Sequence, residues 1–482
     1  MKRFLSVAAL VVLCAATPAP EMRDIFTAER ARTLDGGKLA AALDRQPAVA
    51  ARAALAIGRT KDAAGAGPLR AHLGVADPAV RAMVVYALGL LADRSSLPAL
   101  ETLTRSDRNS AVRYAAVDAV GRVAVTDPAG TAGAANDLLT AVHRDPDPTV
   151  RGHAAANLDA FRSTPRAQQI AFALQRAFRR EKVESVRWHI MWTLSRAYST
   201  LTSRAFFKAA LSPRYGDYTR LAAVRGIGRQ NDVSAIRILQ PLLADPSWRV
   251  QEEASESLRR LEGKPSTQDL TALQPGLHLP PVPPSPEAQA SPLPRPTATG
   301  ARLSAPVPEE VSYQAVALPT SAALMDGPMP GPHPRVRIAT TQGIVVVRLY
   351  PEWAPYTVAS FLHLANAGYF DGNRWFRIVP DFVVQTGDKA NTGNGDPPYS
   401  VGAEENPIEQ RAGIISMGLD YDEKTNTPLR DTAGSQFYIT LSPQLHLDRD
   451  FTVFGEVQSG FDVLPHLVES DKMTSVEQIA DG

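Results

Sequence analysis

The stretch WFRIVPDFVVQTGD, Trp375 to Asp388, sets the reading of the last third of this chain. It is one of a series of short apolar segments. Upstream, RVRIATTQGIVVVRLY alternates Val336 and Ile338 and then runs apolar from Ile344 to Val347 around a Thr-Gln-Gly turn, which predicts a hairpin. Trp353 to Ala367 carries Val358, Phe361, Leu362 and Ala365 in helical register, so a helix is expected there. Gly413 to Met417, Gln436 to Leu441 and Phe451 to Val457 follow as further apolar segments. Many short strands with few helices predict a closed β-barrel.

Immediately before this region, residues 265–334 hold 17 of the chain's 39 prolines, including LPPVPPSPEAQASPLPRP from Leu279. Proline removes backbone donors and fixes φ, so 264–333 is expected to be a flexible spacer without a core. A docking segment for a proline-binding module is the alternative. Further upstream, residues 38–263 repeat themselves. DPAVRAMVVYALG from Asp77, NSAVRYAAVDAVG from Asn109 and DYTRLAAVRGIG from Asp217 are each one amphipathic helix. Asp77-Pro78, Asp147-Pro148 and Asp245-Pro246 supply a capping carboxylate followed by a proline for the first helical position. An early arginine recurs at Arg81, Arg113, Arg151, Arg187 and Arg220, with Ala50 in the first copy and Gln251 in the last. Those arginines read as a ladder of ion pairs between repeats, or else as a row contacting a ligand.

The steps between successive copies run from 31 to 38 residues. A period in this range, with small residues on the buried seam, resembles HEAT repeats and implies an all-α solenoid of about seven copies. Armadillo-like packing is the other description. Either way neighbours must stack to bury their stripes, and the extended surface implies a protein partner.

The 482 residues are too many for one core, and 51 basic residues against 50 acidic ones exclude a strongly charged nucleic-acid or membrane-surface protein. The single cysteine, Cys14, excludes internal disulfides and a cysteine nucleophile in the body of the chain. Lys2 and Arg3 precede an apolar run from Phe4 to Cys14 and then small residues, so residues 1–16 read as a signal peptide. A run of about eleven residues spans only about 16 Å as a helix, too little for a membrane-spanning anchor. Cys14 is a candidate lipid acceptor and the one expected route to a membrane, although Leu13 is bulky for such a site. Cleavage after Ala16 instead leaves a mature chain without cysteine.

WFRIVPDFVVQTGD, GIISMG from Gly413, AGSQFYITLS from Ala433 and LDRDFTVFGEV from Leu447 come in the order of the cyclophilin-type peptidyl-prolyl isomerases, which residues 334–482 therefore resemble. The resemblance implies an eight-stranded antiparallel barrel and cis/trans isomerisation of X-Pro bonds, with no cofactor and no metal. It implies Arg377 and Gln385 as catalytic residues. Phe382, Val383, Met417, Gly418, Gln436, Tyr438, His446, Leu447 and Phe451 would bind the substrate peptide. Val383, Leu419, His446 and Phe451 replace methionine, asparagine, tryptophan and histidine of the best-known eukaryotic pattern, which implies weaker cyclosporin binding and altered peptide preference. The loop from Leu419 to Ala433 is long, and its Asp420, Asp422, Glu423 and Lys424 could border the groove. Thr-Gly-Asn-Gly at 392–395 reads as a turn rather than a phosphate loop, lacking the lysine and the strand-loop-helix setting.

The chemistry itself needs neither nucleophile nor metal. Rotation about an X-Pro amide is opposed by a barrier of about 18–20 kcal/mol because the C–N bond is partly double. A site must hold the proline ring in an apolar pocket and place a fixed donor on the twisting amide, for which a guanidinium is suited. The expectation is an exported, periplasmic or otherwise extracytoplasmic folding factor, with the solenoid holding a client while the spacer tethers the isomerase. The alternative is a scaffold that binds proline-containing segments without turnover.

Overall fold

Asp77 and Asp147 start helices as their sequence dictates, each accepting from the backbone N–H two residues on, at 2.8 and 2.9 Å. In this computed structural model the described residues are 20–264 and 333–479, apart from single positions 132, 392, 394, 396, 423, 426 and 449. The expected leader with Cys14, and the spacer apart from its ends Lys264 and His333, lie outside them. The solenoid opens with α1 (Pro20–Arg30), α2 (Lys38–Ala42) and α3 (Pro47–Thr60). It continues as α4 (Ala66–Ala71), α5 (Pro78–Leu90), α6 (Leu97–Ser106), α7 (Ser110–Thr126), α8 (Ala134–Arg144) and α9 (Pro148–Asn157). The last helices are α10 (Ala167–Arg180), α11 (Glu184–Ala197), α12 (Arg204–Ala210), α13 (Asp217–Gly228), α14 (Ile236–Leu239) and α15 (Trp248–Leu261). From α2 onward they alternate as first and second helices of a pair. The second helices are the seven that carry the repeating position, α3 through α15 by odd number, and successive ones pack on each other.

That close stacking needs small residues. A Cβ on Gly89 would come within 2.8 Å of the Ala119 Cα, so only glycine lets α5 approach α7 here. Four of the five recurring arginines form the expected ladder, whereas Arg187 turns back to Glu184 of its own helix at 3.4 Å and to the Glu181 carbonyl at 2.8 Å. Arg81 pairs with Asp107 at 2.7 Å, Arg113 with Asp145 at 2.7 Å and Arg151 with Glu181 at 2.8 Å, and Arg220 pairs with Asp245. Each binds an acidic residue at the turn that leads into the next second helix. Asp245-Pro246 departs from its expected role. The helix begins two residues later at Trp248, because Asp245 is engaged by Arg220 and by the Ser247 N–H.

In the β domain, β1 (Arg335–Thr340) and β2 (Gly343–Leu349) form the expected hairpin, with Thr340 opposite Gly343. Helix α16 (Pro355–Asn366) follows, and Glu404 caps its start by accepting from the Tyr356 and Thr357 N–H groups at 3.2 and 2.8 Å. Trp375–Gln385 is two strands, β3 (Arg377–Val379) and β4 (Val383–Thr386), turning at Asp381 with φ of 55°. Then come β5 (Ile414–Met417), β6 (Phe437–Thr440), β7 (Val453–Ser459) and β8 (Met473–Ile479). The sheet order is β3-β4-β6-β5-β7-β2-β1-β8. The expected closed barrel is thus corrected to a curled, open sheet. Its edges β3 and β8 share no ladder: the three-residue β3 leaves too little strand to pair, and the backbone hydrogen bonds there, including the Arg374–Lys472 bridge, are made by residues 372–375, which precede β3, with residues 471–473.

The two domains are docked, and the row of second helices is the face that holds the β domain. Arg59 on α3, fully buried, donates to the Glu405 carbonyl at 2.8 Å, the Trp353 carbonyl at 2.7 Å and the Glu29 carboxylate at 2.6 Å. Arg32 donates to the Ala403 carbonyl and pairs with Asp431. On α11, His189 meets Glu409 at 3.2 Å, and Trp188 and Trp192 pack on Leu445. Tyr350, Trp353, Tyr356, Val401, Ile414 and Val453 of the β domain join the solenoid's own apolar core. This corrects the expectation of an isomerase held only by a flexible tether beside an open solenoid face.

Asp381 marks the far end of the interface. It is 1% exposed, with Arg249 at 3.9 Å and Arg225 at 4.0 Å, and neither carboxylate oxygen has a hydrogen bond among the described residues. Burial raises its pKa to about 8, against the pull of the two guanidiniums. The folded protein therefore retains a proton that the unfolded chain releases near pH 4, so stability from this group is lost as pH rises from about 4 to 8. Asp381→Asn is expected to flatten that dependence, the variant gaining on the order of 3–4 kcal/mol relative to wild type between pH 5 and pH 8. Urea unfolding at the two pH values checks this, and parallel slopes would refute it. A protease site introduced within residues 265–332 is expected to yield two fragments that co-elute in size exclusion, since the domains share a core; separation of the fragments would contradict the docked arrangement.

Candidate active site

Strand register assembles the site. Arg377 on β3 lies opposite Gln385 on β4, Gln385 opposite Tyr438 on β6, and Tyr438 opposite Ser416 on β5. Four cross-strand neighbours thus form one row on one face of the sheet. Val383, two residues before Gln385, shares that face because side chains alternate along a strand.

The row is fixed by hydrogen bonds. Arg377 Nη1 donates to Gln385 Oε1 at 2.9 Å, Gln385 Nε2 donates to Gln436 Oε1 at 3.3 Å, and Gln436 Nε2 donates to the Gly393 carbonyl at 3.0 Å. Gly393 is held in turn by its N–H bond of 2.6 Å to Asp388, while Thr392 and Asn394 of the expected 392–395 turn lie outside the described residues. Burial pushes the Arg377 pKa down, and the electron-rich Tyr421 and Tyr438 oppose that shift. Any Cβ at Gly418 would lie 3.1 Å from Gln436 Cβ and 3.2 Å from Gln385 Nε2, so a larger residue would disturb both glutamines.

Val383, Tyr438, Leu447 and Phe451 form a small apolar cluster of their own, with Phe382 and Leu419 packed against it. Tyr438 and Phe451 meet edge-on with centroids 5.7 Å apart. The Arg377 guanidinium lies 5.5 Å from the Phe382 ring centroid, at the rim of this cluster. His446 stacks on the other side of that rim, 5.7 Å from Phe382 at an interplanar angle of 14°. Of the substrate-binding residues inferred from the sequence, Met417 alone falls elsewhere, in the main core of the β domain with Phe437 and Phe454. Its side chain follows the alternation of β5, on which Ser416 and not Met417 shares the row of Tyr438.

Sequence reasoning missed three supports. Gln410 is fully buried and donates to the Tyr438 hydroxyl at 3.1 Å while accepting from Ser416 Oγ at 3.1 Å. It sits in the segment 403–411, which has no periodicity to signal its role. Asp381 donates no side-chain bond, but its carbonyl accepts from Ser442 Oγ and, at 3.0 Å, from Gln444 Nε2, fixing the turn that carries Phe382. The solenoid itself is the third: the turn Leu445–Leu447 puts Leu445 on Trp188 and Trp192 and Leu447 in the pocket cluster. The long loop after Leu419 closes on itself through the Tyr421–Pro428 bridge and is tied down by the ion pair of Arg430 with Glu405. Asp422 is committed within it, accepting from the Lys424 and Thr425 N–H groups, whereas Glu423 lies outside the described residues.

The chain matches the family model of cyclophilin type peptidyl-prolyl cis-trans isomerases over residues 335–480, and that of HEAT repeats over 38–121 and 204–283. Peptidyl-prolyl cis-trans isomerase B of Bacillus subtilis is 42% identical over 130 residues, which are 27% of this chain and 85% of that protein. Peptidyl-prolyl cis-trans isomerase CYP18-2 of Arabidopsis thaliana is 38% identical over 142 residues, 28% of this chain and 82% of that protein. A crystal structure of a Cryptosporidium parvum cyclophilin type isomerase aligns at 25% identity and a TM-score of 0.28, covering 31% of this chain and 99% of that one. The family model over residues 335–480, and 42% identity to an isomerase covered over 85% of its own length, give the family: the chain belongs to the cyclophilin-type peptidyl-prolyl cis-trans isomerases, with HEAT repeats preceding the isomerase domain.

Proposed function

We propose that this protein is an exported rotamase for proline-containing protein segments, with Arg377 as the residue that acts on the amide. The proline ring enters against the apolar cluster of Phe382, Val383, Tyr438, Leu447 and Phe451. Arg377, oriented by Gln385, donates to the amide as it twists, where conjugation is lost and the nitrogen gains a lone pair. Gln385, Gln436 and the Gly418 backbone flank the notch and hold the chain on either side. No covalent bond forms or breaks. The single observation that carries this reading is the hydrogen-bonded row of Arg377, Gln385 and Gln436 beside the notch.

Export rests on the N-terminal reading, Lys2 and Arg3 before the apolar run. A folding role is the natural use of such an activity, since X-Pro isomerisation limits folding on a scale of tens of seconds. Docking of the isomerase along the second helices argues against a client filling that same face.

Arg377→Ala is expected to lower kcat/KM on an X-Pro peptide by about 100-fold or more, the loss typical of a fixed donor to developing charge. Exchange NMR or a protease-coupled assay measures it, and unchanged thermal unfolding shows that the fold persists. Wild type no faster than this variant would instead support a binding scaffold.

A further inference from the structure

Two turns rim the apolar notch, and the solenoid touches both. One is the Asp381–Phe382 turn, where the buried Asp381 approaches Arg249 of α15 at 3.9 Å. The other is Leu445–Leu447, whose Leu447 lies in the notch cluster and whose His446 stacks on Phe382 with centroids 5.7 Å apart. Within the isomerase domain the turns are linked by Gln444, whose Nε2 donates to the Asp381 carbonyl at 3.0 Å and whose N–H donates to the Gln410 carbonyl at 2.7 Å. Asp448, on the other flank, accepts from the Gln410 N–H at 2.7 Å. These bonds pin residues 444 and 448, and the side chains between them are placed by packing.

Leu445 finds that packing on the other domain. Its cluster consists otherwise of solenoid residues, Trp188 and Trp192 one turn apart on α11, with Ala156 of α9 and Tyr218 of α13 beside them. From there a run of ring contacts leads back to the first turn. Trp188 meets Tyr218 edge-on with centroids 6.2 Å apart, and the Arg249 guanidinium lies 5.2 Å from the centroid of the same Tyr218 ring. Arg249 also lies 4.6 Å from the Trp248 ring centroid, and it is the residue that faces Asp381. Three successive second helices, α11, α13 and α15, thus connect the two turns through side-chain contacts, and the Phe382–His446 stack closes the circuit at the rim.

We propose that Trp188, Tyr218 and Arg249 are positioning residues for the isomerase: they brace the turns at 381–382 and 445–447 so that Phe382, His446 and Leu447 stand at the spacing that admits a proline ring. The proposal rests on the isomerase reading and extends the binding site into the solenoid, which becomes a working part of the enzyme. The brace acts on the walls of the notch. Arg377 and Gln385 are held separately, by the register of β3 and β4 and by their own hydrogen bond. Loosening the walls therefore weakens the hold on the proline equally in the planar and the twisted amide, which raises KM and leaves kcat in place.

The test uses the full chain and an Ala-Pro-containing peptide, with exchange NMR over a substrate titration separating KM from kcat. Trp188→Ala is expected to raise KM about tenfold with kcat within about twofold of wild type. Trp188→Phe, which keeps a ring against Leu445 and Tyr218, is expected to restore KM to within about twofold. Tyr218→Leu, at a half-buried position in the middle of the run, is expected to raise KM in the same way, and it carries the test if Trp188→Ala does not fold. An unchanged KM in either folded variant, or a fall in kcat at constant KM, which is what a smaller folded fraction produces, overturns the proposal while leaving the isomerase intact. Wild type no faster than Arg377→Ala overturns the isomerase reading, and the brace with it.

Discussion

A guanidinium shut off from solvent must satisfy its donors inside the protein, and Arg59 does so across a domain boundary. It is fully buried, and its three nitrogens reach Glu29 in the solenoid and two backbone carbonyls, of Glu405 and Trp353, in the isomerase domain. Glu29 is itself shared with the buried Arg52, and the two arginines lower its pKa against the effect of burial. Separating the domains would strip Arg59 of two acceptors and expose a paired charge built for a dry setting, so the cost falls on both halves together. From this anchor the contacts run along successive second helices to Arg249, and the notch ends up at the α11–α15 end of the solenoid.

This docking explains features that neither domain explains alone. Glu404 caps α16 while lying in the field of Arg59, and Glu405 is held well down in pKa, to about 2, by Lys61 and Arg430 against burial. The segment carrying both is a loop within the isomerase domain, held from the solenoid side by Arg59, which donates to the Glu405 carbonyl, and by Lys61, which pairs with the Glu405 carboxylate. The same logic holds at Asp381, a buried carboxyl in the turn beside Phe382 that faces two solenoid arginines. A carboxylate there would be a poor choice for an isolated isomerase domain.

What was legible in the sequence follows from where the signals are local. The repeat arginines announced themselves because each acts within one period, from Arg81 to Asp107 and from Arg113 to Asp145. The β1–β2 hairpin and the row of Arg377, Gln385 and Tyr438 were readable for the same reason, through turn residues and family motifs. Gln410 and Leu445 were not, since nothing within a few residues of either marks it; their roles arise from partners at Tyr438 and at Trp192, far away in sequence. The open sheet was missed because strand count alone does not report whether the last edges pair. Met417 was drawn into the pocket by its motif, whereas the alternation of β5 turns it to the core.

The substitution of His446 for a larger indole in the common pattern gains a physical sense in this setting. The ring at 446 still stacks on Phe382, so the rim of the notch is kept. A second indole is already present across the cleft, where Trp192 packs against the neighbouring Leu445 and carries Arg196 on its face. The aromatic wall is thus divided between the two domains.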